Sequence, residues 1–148
     1  IREFNQIEDS LRKKIKYGRI EPLNTLTHPF HNIVVGRDGD IFTYSPELAS
    51  GIPNDPHHFS IGNLLNTPKL SNLLQSKRLT EMHNGIQKGI KKCAENCKYF
   101  EVCGGGYPSS KYYENGSFDS METQQCIANK KAMTDVVIEN MKVESKYN

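Results

Sequence analysis

Tryptophan is absent from this chain, as is any sustained apolar run, and the basic run Arg12-Lys13-Lys14 with Lys16 reads as a solvated helix face rather than a phosphate or membrane contact. A bilayer-crossing helix needs about 20 consecutive apolar residues, and no stretch approaches that, so no membrane span is expected. Lysine and arginine number 19 against 17 acidic residues, for a net charge of +2 spread along the chain. That balance excludes the concentrated basic face of a nucleic-acid binder. The opening Ile1-Arg-Glu-Phe4 lacks an initiator Met, an apolar signal core and a cleavage-site pattern, so a cytoplasmic piece of a longer protein is expected. Several catalytic signatures are missing too. No G-x-S-x-G elbow, H-E-x-x-H helix or phosphate loop occurs, so no complete enzyme can be assembled from these residues.

Hydrophobic residues make up 36% of 148 positions, which is lean for one ordinary domain. An inorganic staple would help offset the chain entropy that a thin core cannot. Cysteine is also scarce, and its placement points to such a staple. All four cysteines fall in one region, Cys93, Cys97 and Cys103 at C-x3-C-x5-C spacing and Cys126 after a further 22 residues.

Uneven loops of this kind suit the separate corners of an iron–sulfur cubane. Structural zinc prefers two close pairs, and here only Cys93 and Cys97 form one. Two disulfides also fit the count. The surroundings favour a bulky anionic centre. Gly104-Gly105-Gly106 can turn successive amides toward sulfur, and a helix start at Cys126 would lower that thiol's pKa. Lys91, Lys92, Lys98 and Lys111 lie close in sequence, although each alone reads as plain surface. His57-His58 follows Pro56 in a polar stretch and reads as surface or turn, as do the scattered His28, His31 and His83.

The remaining pattern is α+β: one or two small hairpins plus helices, with the C-terminal helix against the cysteine loop. Phe4, Ile7, Leu11 and Ile15 at helical spacing, closed by Gly18, predict a helix over 3–17. A Pro-containing connection follows over 19–30. Residues 32–35 and 41–44 around an Asp-Gly turn predict a hairpin. The stretch 45–63, closing with Ile61-Gly62-Asn63, reads as an ordered loop or short edge element rather than a helix. Thr67-Pro68 opens a helix burying Leu70, Leu73 and Leu74, and a second helix covers 77–90 with Leu79, Met82, Ile86 and Ile90 inward. Residues 91–118 read as loop, with a small hairpin of Tyr112-Tyr113 and Phe118 around Asn115-Gly116. Thr123 caps a last helix with Ala132, Met133, Val136, Val137, Asn140 and Met141 at helical period.

Cys93-x3-Cys97-x5-Cys103-Gly-Gly-Gly106 and the trailing Glu122-Thr-x-x-Cys126 resemble the SPASM or "twitch" extension of radical S-adenosylmethionine peptide maturases. The likeness spans about residues 30–140. It places the family's hairpin at Ile33–Tyr44 and its Gly-Asn turn at Gly62-Asn63. Phe42-Thr-Tyr-Ser45-Pro-Glu-Leu48 and Pro108-Ser-x-Lys111-x-x-Glu114-Asn-Gly116-Ser-Phe118 look most like the branch that installs cyclophane cross-links in ribosomally made peptides.

The resemblance implies an auxiliary [4Fe–4S] cluster on Cys93, Cys97, Cys103 and Cys126, serving electron transfer or pocket organisation. It implies as partners a precursor peptide, a reductant such as flavodoxin or ferredoxin, and an N-terminal partial (β/α) barrel. S-adenosylmethionine and its own cluster would belong to that barrel, because this chain has no C-x3-C-x2-C. Residues 1–18 would be the bridge from it, and 19–148 the auxiliary domain. The full pattern also has cysteines after the first hairpin, where this chain has Tyr44 and Ser45, and four positions past Cys103, where it has Tyr107. Their joint absence matches loss of a first auxiliary cluster with retention of the second. The rival expectation is a zinc- or cluster-stapled structural or peptide-binding module with no redox role.

Overall fold

Helix α1 (Arg2–Tyr17) buries Ile7, half-buries Phe4 and Leu11, and leaves Ile15 in solvent, so the apolar stripe is used only over its first three turns. Its face lies along α6 (Met133–Tyr147), where Arg12 bridges Glu8 and Glu144 at 2.6 and 2.7 Å. Gly18 ends α1 by donating its N–H to the Lys14 carbonyl at 2.7 Å. The computed structural model describes residues 2–18, 24–67 and 69–147. Residues 19–23 of the expected connection, with Pro22, and Pro68 of the expected Thr67-Pro68 helix start lie outside the described residues.

The expected hairpin forms. Strands β1 (Ile33–Val35) and β2 (Asp40–Thr43) pair antiparallel, with Val34 opposite Phe42. In the stretch 45–63, Pro46–Ser50 makes a 3-10 turn where no helix was expected, and Gly62–Asn63 forms β3 on the other side of β2, which is the central strand of three. Asn63 locks the turn by donating to the Asp38 carbonyl and to Asp40 Oδ1, both at 2.9 Å.

Asp40 also pairs with exposed His57. Asn63 and His57 hold the Asp40 carboxyl below its ordinary 3.8, against partial burial. Asp40 raises His57 above its ordinary 6.5. A raised imidazole stabilises below 6.5 and loses that contribution as pH climbs through its folded value, whereas a depressed carboxyl loses its own as pH falls. The pair is therefore expected to contribute fully between pH 3.8 and 6.5. An NMR titration of His57 should show its midpoint fall back in Asp40→Asn.

Helix α2 (Lys77–Asn96) is the backbone of the domain. Ser76 caps it through Oγ, accepting from Leu79 N–H at 3.4 Å, and Leu79, Met82 and Ile86 go into the core as the period requires. They meet Ile41 and Phe42 from β2 and Phe59 and Ile61 from the loop. The helix runs six residues past the expected end because Lys91, Glu95 and their neighbours are good helix formers. Gly89 is a contact point. A β-carbon there would stand 2.4 Å from the Phe118 carbonyl oxygen, 3.0 Å from Lys111 Nζ and 3.2 Å from the Ser120 carbonyl oxygen. Gly89→Ala is thus expected to lose about 1–3 kcal/mol in denaturant titrations, as overpacking does.

Three expectations are corrected. Residues 70–75 form a 3-10 turn (Leu70–Gln75), not an α-helix, too short to lay a stripe on the core. Leu73 is buried, but Leu70 and Leu74 are 61% and 63% exposed. The second hairpin does not form. Pro108 opens and Gly116 closes helix α4 (Pro108–Asn115), with the Gly116 N–H on the Tyr112 carbonyl at 2.7 Å, so the Asn-Gly signal marks a helix stop. Finally, α5 (Gln124–Cys126) continues through a π-helical stretch, Ile127–Ala132, into α6. Wider π turns rotate the face that follows, leaving Val137 buried and Val136 58% exposed.

The described residues thus form an α+β unit of six α-helices and a three-stranded antiparallel sheet. None of these helices is long and apolar enough to cross a membrane.

Candidate functional site

Each cysteine is delivered by the end of a helix. Cys93 lies in the last turn of α2, and Cys97 ends that helix by donating its N–H to the Cys93 carbonyl at 2.9 Å. Cys103 is the last residue of the short helix α3 (Phe100–Cys103). Cys126 sits in α5, where Thr123 Oγ1 accepts its N–H at 3.0 Å, the cap expected from sequence. Glu114 of α4 caps the same end by accepting from the Gln124 and Gln125 N–H groups. All four thiols are free, and none is joined in a disulfide.

The glycine triplet is the hub. Gly104, Gly105 and Gly106 take φ values of +65°, +101° and +76°, a run of positive angles that only glycine adopts cheaply. The turn aims the Gly105 and Gly106 amides at Cys103 Sγ, the nest anticipated from the sequence. The Gly105 carbonyl faces Cys93 Sγ at 4.0 Å, so one residue touches both thiols. Cys126 stands close enough to Cys103 for hydrogen bonding between the two thiols to be the largest influence on the ionisation of each.

That hydrogen bonding, the two glycine amides and the charge of Lys130 bring Cys103 down to about 6 in spite of burial. Cys126 moves the other way. Its hydrogen bond to Cys103, burial, and the negative charges of Cys103 and Cys97 push it up, opposed by the Thr123 amide. The sequence expectation of a lowered Cys126 is therefore corrected. The glycine nest acts on Cys103, which becomes the acceptor of the pair, and a helix start alone does not outweigh a neighbouring thiolate.

The structure brings Cys103 and Cys126 into contact, with Cys97 in electrostatic reach and Cys93 linked through Gly105. Among the described residues, no three His, Cys, Asp or Glu side chains converge tightly enough to hold one metal ion. Zinc bonds of about 2.3 Å would draw four sulfurs to within about 3.8 Å of one another.

Lys91, Lys92 and Lys98 are surface residues, paired with Glu95, Asp119 and the Tyr99 ring. Lys111 is not. It is 3% exposed, and its Nζ donates to Cys93 Sγ at 3.4 Å. Its burial was hidden because 107–115 read as loop; as a helix, the segment puts Tyr107 and Lys111 one turn apart over the glycine turn. Lys130, absent from the sequence argument, faces Cys103 and ion-pairs with Glu3 at 3.7 Å. His57 pairs with Asp40, and His58 links Asp55 at 3.1 Å to the Tyr112 hydroxyl at 3.0 Å, matching the surface-and-turn reading.

At the three positions where the resemblance would place further cysteines, other chemistry stands. Buried Tyr44 meets His83 Nδ1 at 3.0 Å, Ser45 Oγ donates to Glu47 and accepts from Ser109 Oγ at 3.2 Å, and the Tyr107 hydroxyl donates to Glu3 at 3.2 Å.

The class defined so far is an α+β unit with four free thiols, two of which, Cys93 and Cys103, meet a glycine turn. No family model and no solved structure matches the chain. It is similar to an uncharacterized protein of Synechocystis sp., at 33% identity over 113 residues. That match covers 76% of this chain and 28% of the relative, so the chain spans less than a third of the length of the protein it matches.

Proposed function

We propose that residues 19–148 are the auxiliary-cluster domain of a radical S-adenosylmethionine maturase that modifies, and most simply cross-links, a ribosomally made peptide. Residues 1–18 would join it to the barrel that binds S-adenosylmethionine. The observation that carries this reading is one glycine turn that gives its amides to Cys103 and a carbonyl to Cys93, with Cys126 beside Cys103 and Cys97 in electrostatic reach of Cys126.

The donor set suits an anionic sulfur-rich group. Two amides, a buried ammonium at Cys93 and the Lys130 charge all face the thiols. The side-chain oxygen Oε1 of Gln125, next to Cys126, is buried without a partner among the described residues, and rotating that amide would present an N–H2 donor instead.

Cys93, Cys97, Cys103 and Cys126 would hold a [4Fe–4S] cluster, which when bound supplies a one-electron sink beside the substrate. The chain's own part is to hold four thiolates, screen them from water and fix donors on their sulfurs. Joining two C–H carbons releases two hydrogens. One leaves as an atom to the S-adenosylmethionine-derived radical, and the other as a proton plus the electron that this domain would take. Co-expression of the full-length protein with its precursor peptide tests the assignment by mass spectrometry. Loss of two hydrogens per modification supports cross-linking, and an unchanged peptide contradicts it.

A second reading, a metal-stapled module that binds peptides, draws on the β1 edge, where Ile33 and Val35 are exposed and no strand pairs the outer side among the described residues. A bound metal without a reversible one-electron couple would favour it.

A further inference from the structure

Lysine 111 is a buried cation whose recorded polar contact is a sulfur. At 3% exposure its side chain passes Gly106, with Cε 3.7 Å from where a β-carbon would be, and ends over Gly89 with Nζ 3.4 Å from Cys93 Sγ. A side chain at Gly89 would crowd the ammonium, 3.0 Å from the β-carbon position. Among the described residues, no carboxylate lies within ion-pair distance of that ammonium, whereas Lys91, Lys92, Lys130 and Lys131 pair with Glu95, Asp119, Glu3 and Glu122.

A buried charge without a counter-charge opposes folding, and such groups persist where something else needs the charge. A thiol offers little, but a thiolate bound to an anionic cluster offers a full counter-charge. We propose that Lys111 is a positioning residue for the cluster, a fixed positive charge at the Cys93 corner that favours the reduced, more negative state and so raises the reduction potential. This rests on the cluster reading above and goes beyond it by assigning control of the potential to one side chain outside the ligand set.

The physical consequence has two opposite signs. In the metal-free chain the ammonium is a burden, so Lys111→Met should raise resistance to denaturant. In the loaded chain the same substitution should lower the midpoint potential by at least about 59 mV, a tenfold change for a one-electron couple. Lys111→Arg, which keeps the charge, should stay close to the wild-type potential. The surface control Lys91→Met should change neither quantity.

The test measures iron and sulfide content, midpoint potential by EPR-monitored titration, and urea unfolding of the metal-free form, for the full chain and these variants. Iron lost from Lys111→Met but kept by Lys111→Arg also supports a required charge. Equal potentials in loaded wild type and Lys111→Met would overturn the proposal while leaving the cluster intact. So would a metal-free Lys111→Met that is less stable than wild type, since that marks a lysine kept for packing. A wild-type chain that takes up no iron would instead remove the cluster reading itself.

Discussion

Cys103→Ser is expected to reduce bound iron from roughly four atoms per chain to less than about one, the largest effect of any single substitution at the site. Cys103 stands at the centre of the arrangement, taking the Gly105 and Gly106 amides, the Cys126 hydrogen bond and the Lys130 charge. A serine hydroxyl is a poor match for iron and does not ionise under the same influences. Because metal binding adds directly to folding free energy, the loaded wild type should unfold several kcal/mol later than the variant, while the two metal-free chains should differ little. Cys126→Ser should follow the same pattern more weakly, since Cys126 has only the Thr123 amide to favour its ionised form. Iron analysis with paired urea curves, loaded and metal-free, reads both effects. Retention of full iron by Cys103→Ser would remove that residue from the ligand set.

Phe59→Ala should cost about 3–5 kcal/mol, the range for deleting a buried aromatic ring, and should damage the site from a distance. Phe59 is buried beneath α4, edge-on to Tyr112 at 4.8 Å and to Phe118 at 5.8 Å. These rings seat the helix that carries Lys111 on one face and Glu114 on another. Removing the ring loosens both the Cys93 contact and the cap on the helix bearing Cys126. A thermal melt should fall, and iron uptake should fall with it even though no ligand has changed. Phe59→Leu, which keeps most of the volume, should restore uptake before full stability. Iron uptake that stays at the wild-type level while stability drops would show that α4 does not support the thiols.

The sequence made the thiols, the first hairpin and the helix cap at Thr123 legible, because each depends on neighbours within a few residues. Spacing signals the cysteine group, Asp-Gly signals the turn, and Thr123 followed by Gln-Gln-Cys126 signals the cap. Three further features depend on tertiary context. Asn115-Gly116 serves equally as a hairpin turn or a helix stop, and only Pro108 at the correct distance upstream decides between them. The phase of α6 depends on a π turn that has no clear residue signature, so Val137 is buried as expected while Val136 turns to solvent. Lys111 reads as surface by type, and its burial depends on Gly89 leaving room for the ammonium, which no local pattern reveals. Cys126 illustrates the same limit in electrostatics. The helix start was visible, but the neighbouring thiolate that reverses its effect was not.

Anaerobic purification of the full chain, followed by iron, sulfide and zinc analysis with Mössbauer spectroscopy, tests the central claim most directly. One cubane on Cys93, Cys97, Cys103 and Cys126 gives about four irons and four sulfides per chain, with no free thiol on alkylation. A single zinc per chain, or a metal-free chain whose cysteines are paired as disulfides, would contradict it.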